Sequence, residues 1–263
     1  MQAMYIGIDI GGTNVRVGSS ESFKEPKITK ELSFSDDPDY AKNEHRTIEA
    51  IRQFASNVDG IGISIMGHLD EAKTSVLSAS AAPQWVNQPF AATLRKTFGC
   101  PVVLNGDQYC AALSEAMVQK RSDNFVCIVY GTGIGAAIVE YVDGKPTVRT
   151  IEYDKHIEYL KPWQLDCAGK WVREQYGKPL EDLSETEWVI VMSHFYDHLL
   201  RLTQGLQPPR LVFGGGVAVR QWPRLQTVFD RLRQENTNLR DFEISLVQHG
   251  EDAGLIGALM LLR

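Results

Sequence analysis

The stretch Met4-Tyr5-Ile6-Gly7-Ile8-Asp9-Ile10-Gly11-Gly12-Thr13-Asn14-Val15-Arg16 decides how this chain folds. An apolar run carries an acid near its end, two glycines let the backbone reverse, and a hydroxyl and an amide stand where the next strand begins. The spacing predicts a hairpin whose turn can approach phosphate closely. Two glycine-bearing nucleotide fingerprints do not fit it: the Rossmann pattern needs G-x-G-x-x-G opening a helix, and the P-loop needs G-x-x-x-x-G-K-[ST]. Gly-Gly between apolar runs is also ordinary hairpin material, so the reading leans on the rest of the chain.

Working outward, apolar and β-branched runs recur at Tyr5–Ile10, Val15–Gly18, Gly60–Ile65, Val102–Leu104, Phe125–Tyr130, Ala136–Tyr141, Val148–Ile151, Leu211–Phe213 and Phe242–Val247. Helical spacing fills the intervals at Asn43–Ser56, Phe90–Phe98, Gln108–Gln119, Gly169–Tyr176, Glu185–Thr203, Trp222–Arg233 and Asp252–Leu262. Alternating strands and helices predict an α/β protein. The plan is doubled, because a second glycine hairpin, with Gly131-Thr132-Gly133-Ile134-Gly135 at its turn, opens near residue 125, about 120 positions after the first. Two α/β halves, each headed by a phosphate-binding turn, are expected to leave a cleft between them, with the boundary near Gln108–Gln119 and a polar entry at Arg121-Ser122-Asp123-Asn124.

The 263 residues carry 43% hydrophobic and 23% charged side chains, the balance of a soluble globular protein with a real core. Net charge is −6, with Lys and Arg scattered, which argues against a nucleic-acid partner. The four cysteines Cys100, Cys110, Cys127 and Cys167 lie far apart, without metal-ligand spacing, and read as buried free thiols. No run reaches the ~18 apolar residues of a membrane span, and the start shows no basic and apolar leader regions, so a cytoplasmic protein is expected.

Two glycine hairpins in order, an Asn105-Gly106-Asp107 between them and Phe213-Gly214-Gly215-Gly216-Val217-Ala218 towards the end together resemble the ROK family of sugar kinases and sugar-responsive regulators. The resemblance spans nearly the whole chain. The opening Gly7-Ile8-Asp9-Ile10-Gly11-Gly12-Thr13-Asn14 is similar to the family's first motif. The run from Asp107 to Glu115 and Ala116 is similar to its Asn-Asp-Ala-x-Ala-Ala-Ala-x-x-Glu segment, and Asp252-Ala253-Gly254-Leu255-Ile256-Gly257-Ala258 is similar to its closing helix. The resemblance implies a two-domain actin-like, ribonuclease H-like ATPase fold with an interdomain cleft. It puts residues 1–117 with the returning helix 252–263 on the phosphate and sugar side, and residues 118–251 on the nucleotide side. It also implies ATP and Mg²⁺ as cofactors, closure of the halves on substrate, and a sugar hydroxyl as acceptor. A homodimer is compatible with it, though no interface is legible.

Phosphoryl transfer needs donors around the phosphates, a metal across them and a carboxylate beside the attacking oxygen. From local sequence alone Asp107, at a strand's carboxyl end and a helix's start, reads first as a helix N-cap; with the resemblance it is the expected general base. Gly11, Gly12, Thr13 and Asn14 on one side, with Gly131, Thr132 and Gly133 on the other, are expected to hold phosphates. Gly214, Gly215 and Gly216 are expected along the adenosine, or else form a tight strand-to-helix turn. Asp9 is expected to face Mg²⁺ through water, since an acid between Ile8 and Ile10 is costly to bury without purpose. The helix start at Cys167-Ala168-Gly169 is expected to offer amides to phosphate. Asn105, Gly67, Glu152 and His156 are the expected sugar contacts; Glu152 and His156 read equally well as a charged surface loop.

The chain also departs from the family. The Glu152 to His156 spacing is one residue longer than Glu-x-x-His, and Ile157–Asp166 has no cysteine, so no zinc site is expected. Gly106 stands where the family has asparagine, and Ser78–Trp85 offers small hydroxyls and Gln84 in place of another, so glucose is not assumed as substrate. Two readings compete with the sugar kinase. One is a sugar-binding regulator without turnover, although the hairpin at residue 9 leaves no room ahead of it for a helix-turn-helix domain. The other is a kinase of the same superfamily acting on a non-sugar substrate.

Overall fold

The computed structural model describes residues 3–119, 122–151, 158 and 160–263; Glu152 and His156 lie outside them. The chain divides into two compact units, Met1–Ser114 with Asp252–Arg263, and Glu115–Glu251.

In the first unit β1 (Tyr5–Ile10), β2 (Asn14–Ser20) and β3 (Lys30–Ser35) form an antiparallel meander. Then α1 (Tyr40–Phe54) leads to β4 (Gly60–Ile65), a small ribbon of β5 (His68–Leu69) and β6 (Val76–Ser78), α2 (Phe90–Phe98), β7 (Val102–Gly106) and α3 (Asp107–Val118). The sheet order is β3-β2-β1-β4-β7, with β1, β4 and β7 parallel. The second unit repeats the plan: β8 (Phe125–Tyr130), β9 (Ile134–Val142) and β10 (Lys145–Thr150), then α4 (Lys161–Asp166), α5 (Gly169–Tyr176) and α6 (Glu185–Leu206). After these come β11 (Arg210–Gly214), α7 (Gly216–Arg220), α8 (Trp222–Glu235) and β12 (Glu243–Leu246). Its sheet order is β10-β9-β8-β11-β12, again two antiparallel pairings followed by two parallel ones. The expected doubled α/β plan is present. The chain then returns to the first unit as α9 (Ala253–Met260).

Alternation along β1 sorts its residues: Ile6, Ile8 and Ile10 are fully buried on one face, while Gly7 and Asp9 look to the other. On that other face Gly7 lies directly between Gly18 of β2 and Gly62 of β4, a glycine row in register across three strands. The row exists because α9 rests on it. A Cβ at Gly62 would stand 1.8 Å from the Ala258 carbonyl oxygen, and one at Gly7 would stand 2.8 Å from that of Leu255. Gly257 of α9 likewise meets the Cys110 carbonyl oxygen of α3, 1.9 Å from where its Cβ would be.

Besides the short β5, β6 and α7, three elements differ from the sequence reading. β3 was unexpected because Lys30–Ser35 is an edge strand, exposed along most of its length, without apolar alternation. Lys161–Asp166, expected as part of a loop, is α4, held by the fully buried Trp163. And α1 starts at Tyr40 rather than Asn43, because Asp39 caps it by accepting from the Ala41 and Lys42 amides. Among the described residues no helix is long and apolar enough to cross a membrane.

Because backbone on both sides fixes the Gly62 contact, Gly62→Ala is expected to cost about 3 kcal/mol or to prevent folding. Urea unfolding measures it; a cost under about 1 kcal/mol would contradict the packing of α9 on the row.

Candidate active site

Each unit opens with a three-residue loop at the carboxyl end of its central strand. In the first, residues 11–13, the Gly11 amide donates to the Asn14 carbonyl at 3.0 Å, and the Asp36 amide donates to the Thr13 carbonyl at 2.9 Å. In the second, residues 131–133, the Gly131 amide donates to the Gly133 carbonyl at 2.9 Å. These bonds correct one expectation: the Gly11 and Gly131 amides close their own loops. The absent side chain is what these two glycines contribute. Among the described residues a Cβ on Gly131 would meet nothing within 4 Å, and one on Gly11 only the Asn14 oxygen at 3.5 Å, so none of them requires glycine at either position for packing.

On the α9 face of the first sheet, one register further along than the glycine row, stands a polar row: Arg16, Asp9, Ser64 and Asn105, on β2, β1, β4 and β7. The Ser64 hydroxyl, wholly buried, donates to Asp9 Oδ1 at 2.6 Å. The first turn of α9 crowds the same carboxylate, which would lie 2.6–2.9 Å from a Cβ on Gly254. Burial pushes the Asp9 carboxyl above its usual range, against the opposing pull of the Ser64 hydrogen bond and the Arg16 charge. Arg16 is itself shared, pairing with Glu31 at 2.8 Å and with Asp252 at the start of α9.

Asn105 is buried, and its Oδ1 accepts the Gly106 amide at 3.0 Å. Asp107 follows at once as the first residue of α3, half-buried, with Oδ1 accepting the Gln108 amide at 2.8 Å. Asp9, near the end of β1, and Asp107, just past β7, therefore lie at the same carboxyl end of the sheet with β4 between them, the end at which α/β sheets present ligand sites. Gly67 has φ +111° and would drive a Cβ to 2.5 Å from the Ser78 carbonyl oxygen, so its geometry serves the turn from β4 into β5. Gln84 does not stand open to a ligand as expected: its Nε2 donates to Asp36 Oδ2 at 2.6 Å. Asn43 and Trp85 donate to the same carboxylate, whose burial raises its pKa. This cluster steadies the first loop through the Asp36 amide.

In the second unit Gly215 has φ +87°, with its Cβ position 2.6 Å from the Tyr130 carbonyl oxygen, so the backbone after β11 passes flat over the end of β8. Gly216 opens α7 beneath the Arg220 guanidinium, 3.0 Å from where a Cβ would be. This short helix intervenes before α8. The turn at Gly214, Gly215 and Gly216 thus has the tight strand-to-helix form. The amides at the start of α5 are also occupied, contrary to expectation: Gly169 donates to the Gly131 carbonyl at 3.1 Å and Lys170 to that of Thr132 at 2.8 Å. The helix braces the loop instead of offering those amides outward. Tyr130 Oη, donating to the Cys167 carbonyl at 2.8 Å, ties the same corner from within.

Ser64 and Asp36 were missed in the sequence. Ser64 had a signal, as the polar member of the small-residue face Gly60, Gly62, Ser64 in an otherwise isoleucine strand. Asp36 had none, because its partners Gln84 and Trp85 lie 48 and 49 residues away along the chain.

Two sheets of this order, each headed by a glycine loop at its central strand, define the actin-like ATPase fold. The chain belongs to the ROK family, whose model matches residues 5–147. It is 25% identical to a fructokinase of Zymomonas mobilis, over 98% of this chain and 96% of that protein. It is 27% identical to a beta-glucoside kinase of Listeria monocytogenes, over 95% and 94%. Among solved structures, a ROK family glucokinase from Streptomyces griseus, in complex with glucose and AMPPNP, superposes with a TM-score of 0.72 at 20% identity, covering 98% of this chain and 99% of that one.

The raised Asp9 pKa carries a stability consequence. A carboxyl whose folded value lies above its unfolded one opposes folding at neutral pH, and that penalty fades as pH falls through the folded value. Asp9→Asn, which keeps an acceptor for Ser64, is expected to raise Tm at pH 7 by about 2–4 °C, the shift of about 1 kcal/mol in a chain of this size, with the gain shrinking towards pH 4. Calorimetry at the two pH values checks it; a lower Tm at pH 7 would contradict the electrostatic reading.

Proposed function

We propose that this ROK-family chain is an ATP- and Mg²⁺-dependent sugar kinase that phosphorylates a hydroxyl of a hexose or hexose derivative, an amino or N-acyl sugar included. The observation that carries the reading is the single sheet edge bearing the Gly11–Thr13 loop, Asp9 and Asp107. That edge offers the parts phosphoryl transfer requires, a phosphate cradle, a carboxylate for a hydrated cation and a carboxylate for the acceptor proton. The curated relatives' activities, on fructose and on beta-glucosides by name, agree in reaction and differ in sugar.

In this reading Asp107 accepts the proton of the sugar hydroxyl as its oxygen attacks the γ-phosphorus. A carboxylate half-buried at the start of a helix is held in place for that task. The loops at Gly11, Gly12, Thr13 and Asn14 and at Gly131, Thr132 and Gly133 take phosphate oxygens, with the glycines admitting them and the amides nearer the loop tips donating. Gly214, Gly215 and Gly216 present flat backbone to the adenosine. Among the described residues no three His, Cys, Asp or Glu side chains gather around a metal-sized space. That suits Mg²⁺, which keeps most of its waters and takes one or two carboxylates besides substrate phosphates; Asp9 would face it through water. When bound, the ion would neutralise charge on the transferring group. For the sugar, Asn105 has its amide nitrogen to offer, since its oxygen is held by Gly106, and Gly67 offers backbone at its turn. Glu152 and His156 complete the proposed set.

Two outcomes test this. With ATP, Mg²⁺ and a panel of hexoses, amino sugars and N-acetylated sugars, one class should release ADP, and Asp107→Asn should lower kcat by about 10²–10⁴-fold; a variant matching the wild type would remove Asp107 from the chemistry. Gly131→Ala, which meets no packing obstacle, should leave Tm unchanged while raising KM for ATP about tenfold, roughly 1.4 kcal/mol of binding. An unchanged KM would show that the second loop does not approach the nucleotide.

A further inference from the structure

The proposed reaction uses Asp9 but leaves unexplained the buried hydroxyl and thiol behind it. Ser64 and Cys110 are both fully buried, Ser64 on β4 and Cys110 in the first turns of α3. The Ser64 hydroxyl donates to Asp9 Oδ1 at 2.6 Å. A hydroxyl has one hydrogen to give and two lone pairs. Facing a carboxylate oxygen that accepts, the Ser64 hydroxyl commits its hydrogen to Asp9 Oδ1. Gly254 closes the adjacent side of the same carboxylate. Among the described residues nothing donates to Oδ2.

We infer that Ser64 is a positioning residue for the nucleotide-bound divalent cation: by holding Oδ1 of Asp9 it fixes the carboxylate with Oδ2 presented to a donor from outside the chain. This rests on the proposed metal-facing role of Asp9. Partners of this kind, one bond removed from the metal or its waters, typically change metal affinity or activity by about 10–100-fold when removed. The requirement here is a single short donor. An apolar residue there would leave Asp9 free to turn towards Arg16, its neighbour across the strand pair.

The test uses the full-length protein with ATP and Mn²⁺, following free Mn²⁺ by electron paramagnetic resonance, alongside steady-state rates with the sugar found above. Ser64→Ala should weaken Mn²⁺ uptake by the protein and ATP together about tenfold and lower kcat to a similar extent, with KM for the sugar unchanged and Tm somewhat lowered by the lost buried hydrogen bond. Ser64→Thr, which restores the hydroxyl, should recover both. Unaltered Mn²⁺ uptake in Ser64→Ala, or equal losses in Ser64→Ala and Ser64→Thr, would overturn the inference. Asp9→Asn separates the two levels. If it abolishes Mn²⁺ uptake and Ser64→Ala leaves uptake unaltered, only the role of Ser64 fails; if it leaves uptake intact, the metal-facing role of Asp9 fails and the inference with it.

Discussion

The seating of α9 on the glycine row Gly18, Gly7 and Gly62 is the constraint on which the rest of the first unit depends. Side chains normally hold a helix about 10 Å from a sheet, and here their absence lets helix backbone and strand backbone touch. The contact does more than stabilise. One register beyond it on β1 is Asp9, and one turn before it in α9 is Gly254, so the depth of the helix sets the position of the carboxylate. Asp252, just ahead of α9, fixes the near end of the helix through Arg16. A segment returning from the far end of the sequence therefore finishes the site that the first sixteen residues begin.

The polar row records the cost of building chemistry into such a place. Asp9 is desolvated, and a single serine hydroxyl and a shared arginine only partly offset that. A sequence selected for stability alone would place an apolar residue there. Carboxylates held at raised pKa beside a substrate-binding edge are a frequent mark of function, because the ligand's own charge supplies what the protein withholds. Asp36 follows the same logic one step back: its half-buried carboxylate draws three donors from two segments, and its amide steadies the loop tip.

Much of this was legible in the sequence because the informative residues are local. The glycine hairpins announce themselves within eight residues, and the β1, β4 and β8 strands, as apolar runs closed by glycines, have the bounds their composition sets. What escaped was long-range. β3 lacks alternation because it is an edge; α4 is too short for periodicity. The occupation of the α5 amides depends on where two loop carbonyls fall in space. Gln84 looked like a substrate contact because nothing near it in sequence shows that Asp36 claims it. Sequence pattern identifies groups able to do chemistry, and only packing shows which of them are already engaged.

The central claim is that the sheet edge bearing Asp9 and Asp107 moves a phosphoryl group to a sugar. ³¹P nuclear magnetic resonance of the wild-type protein with ATP, Mg²⁺ and each sugar of the panel examines it most directly, because it sees where the phosphorus goes. The account predicts a new phosphomonoester resonance from one sugar class, growing in step with ADP. ADP accompanied only by inorganic phosphate, or no change in the ATP resonances with any sugar, would contradict it.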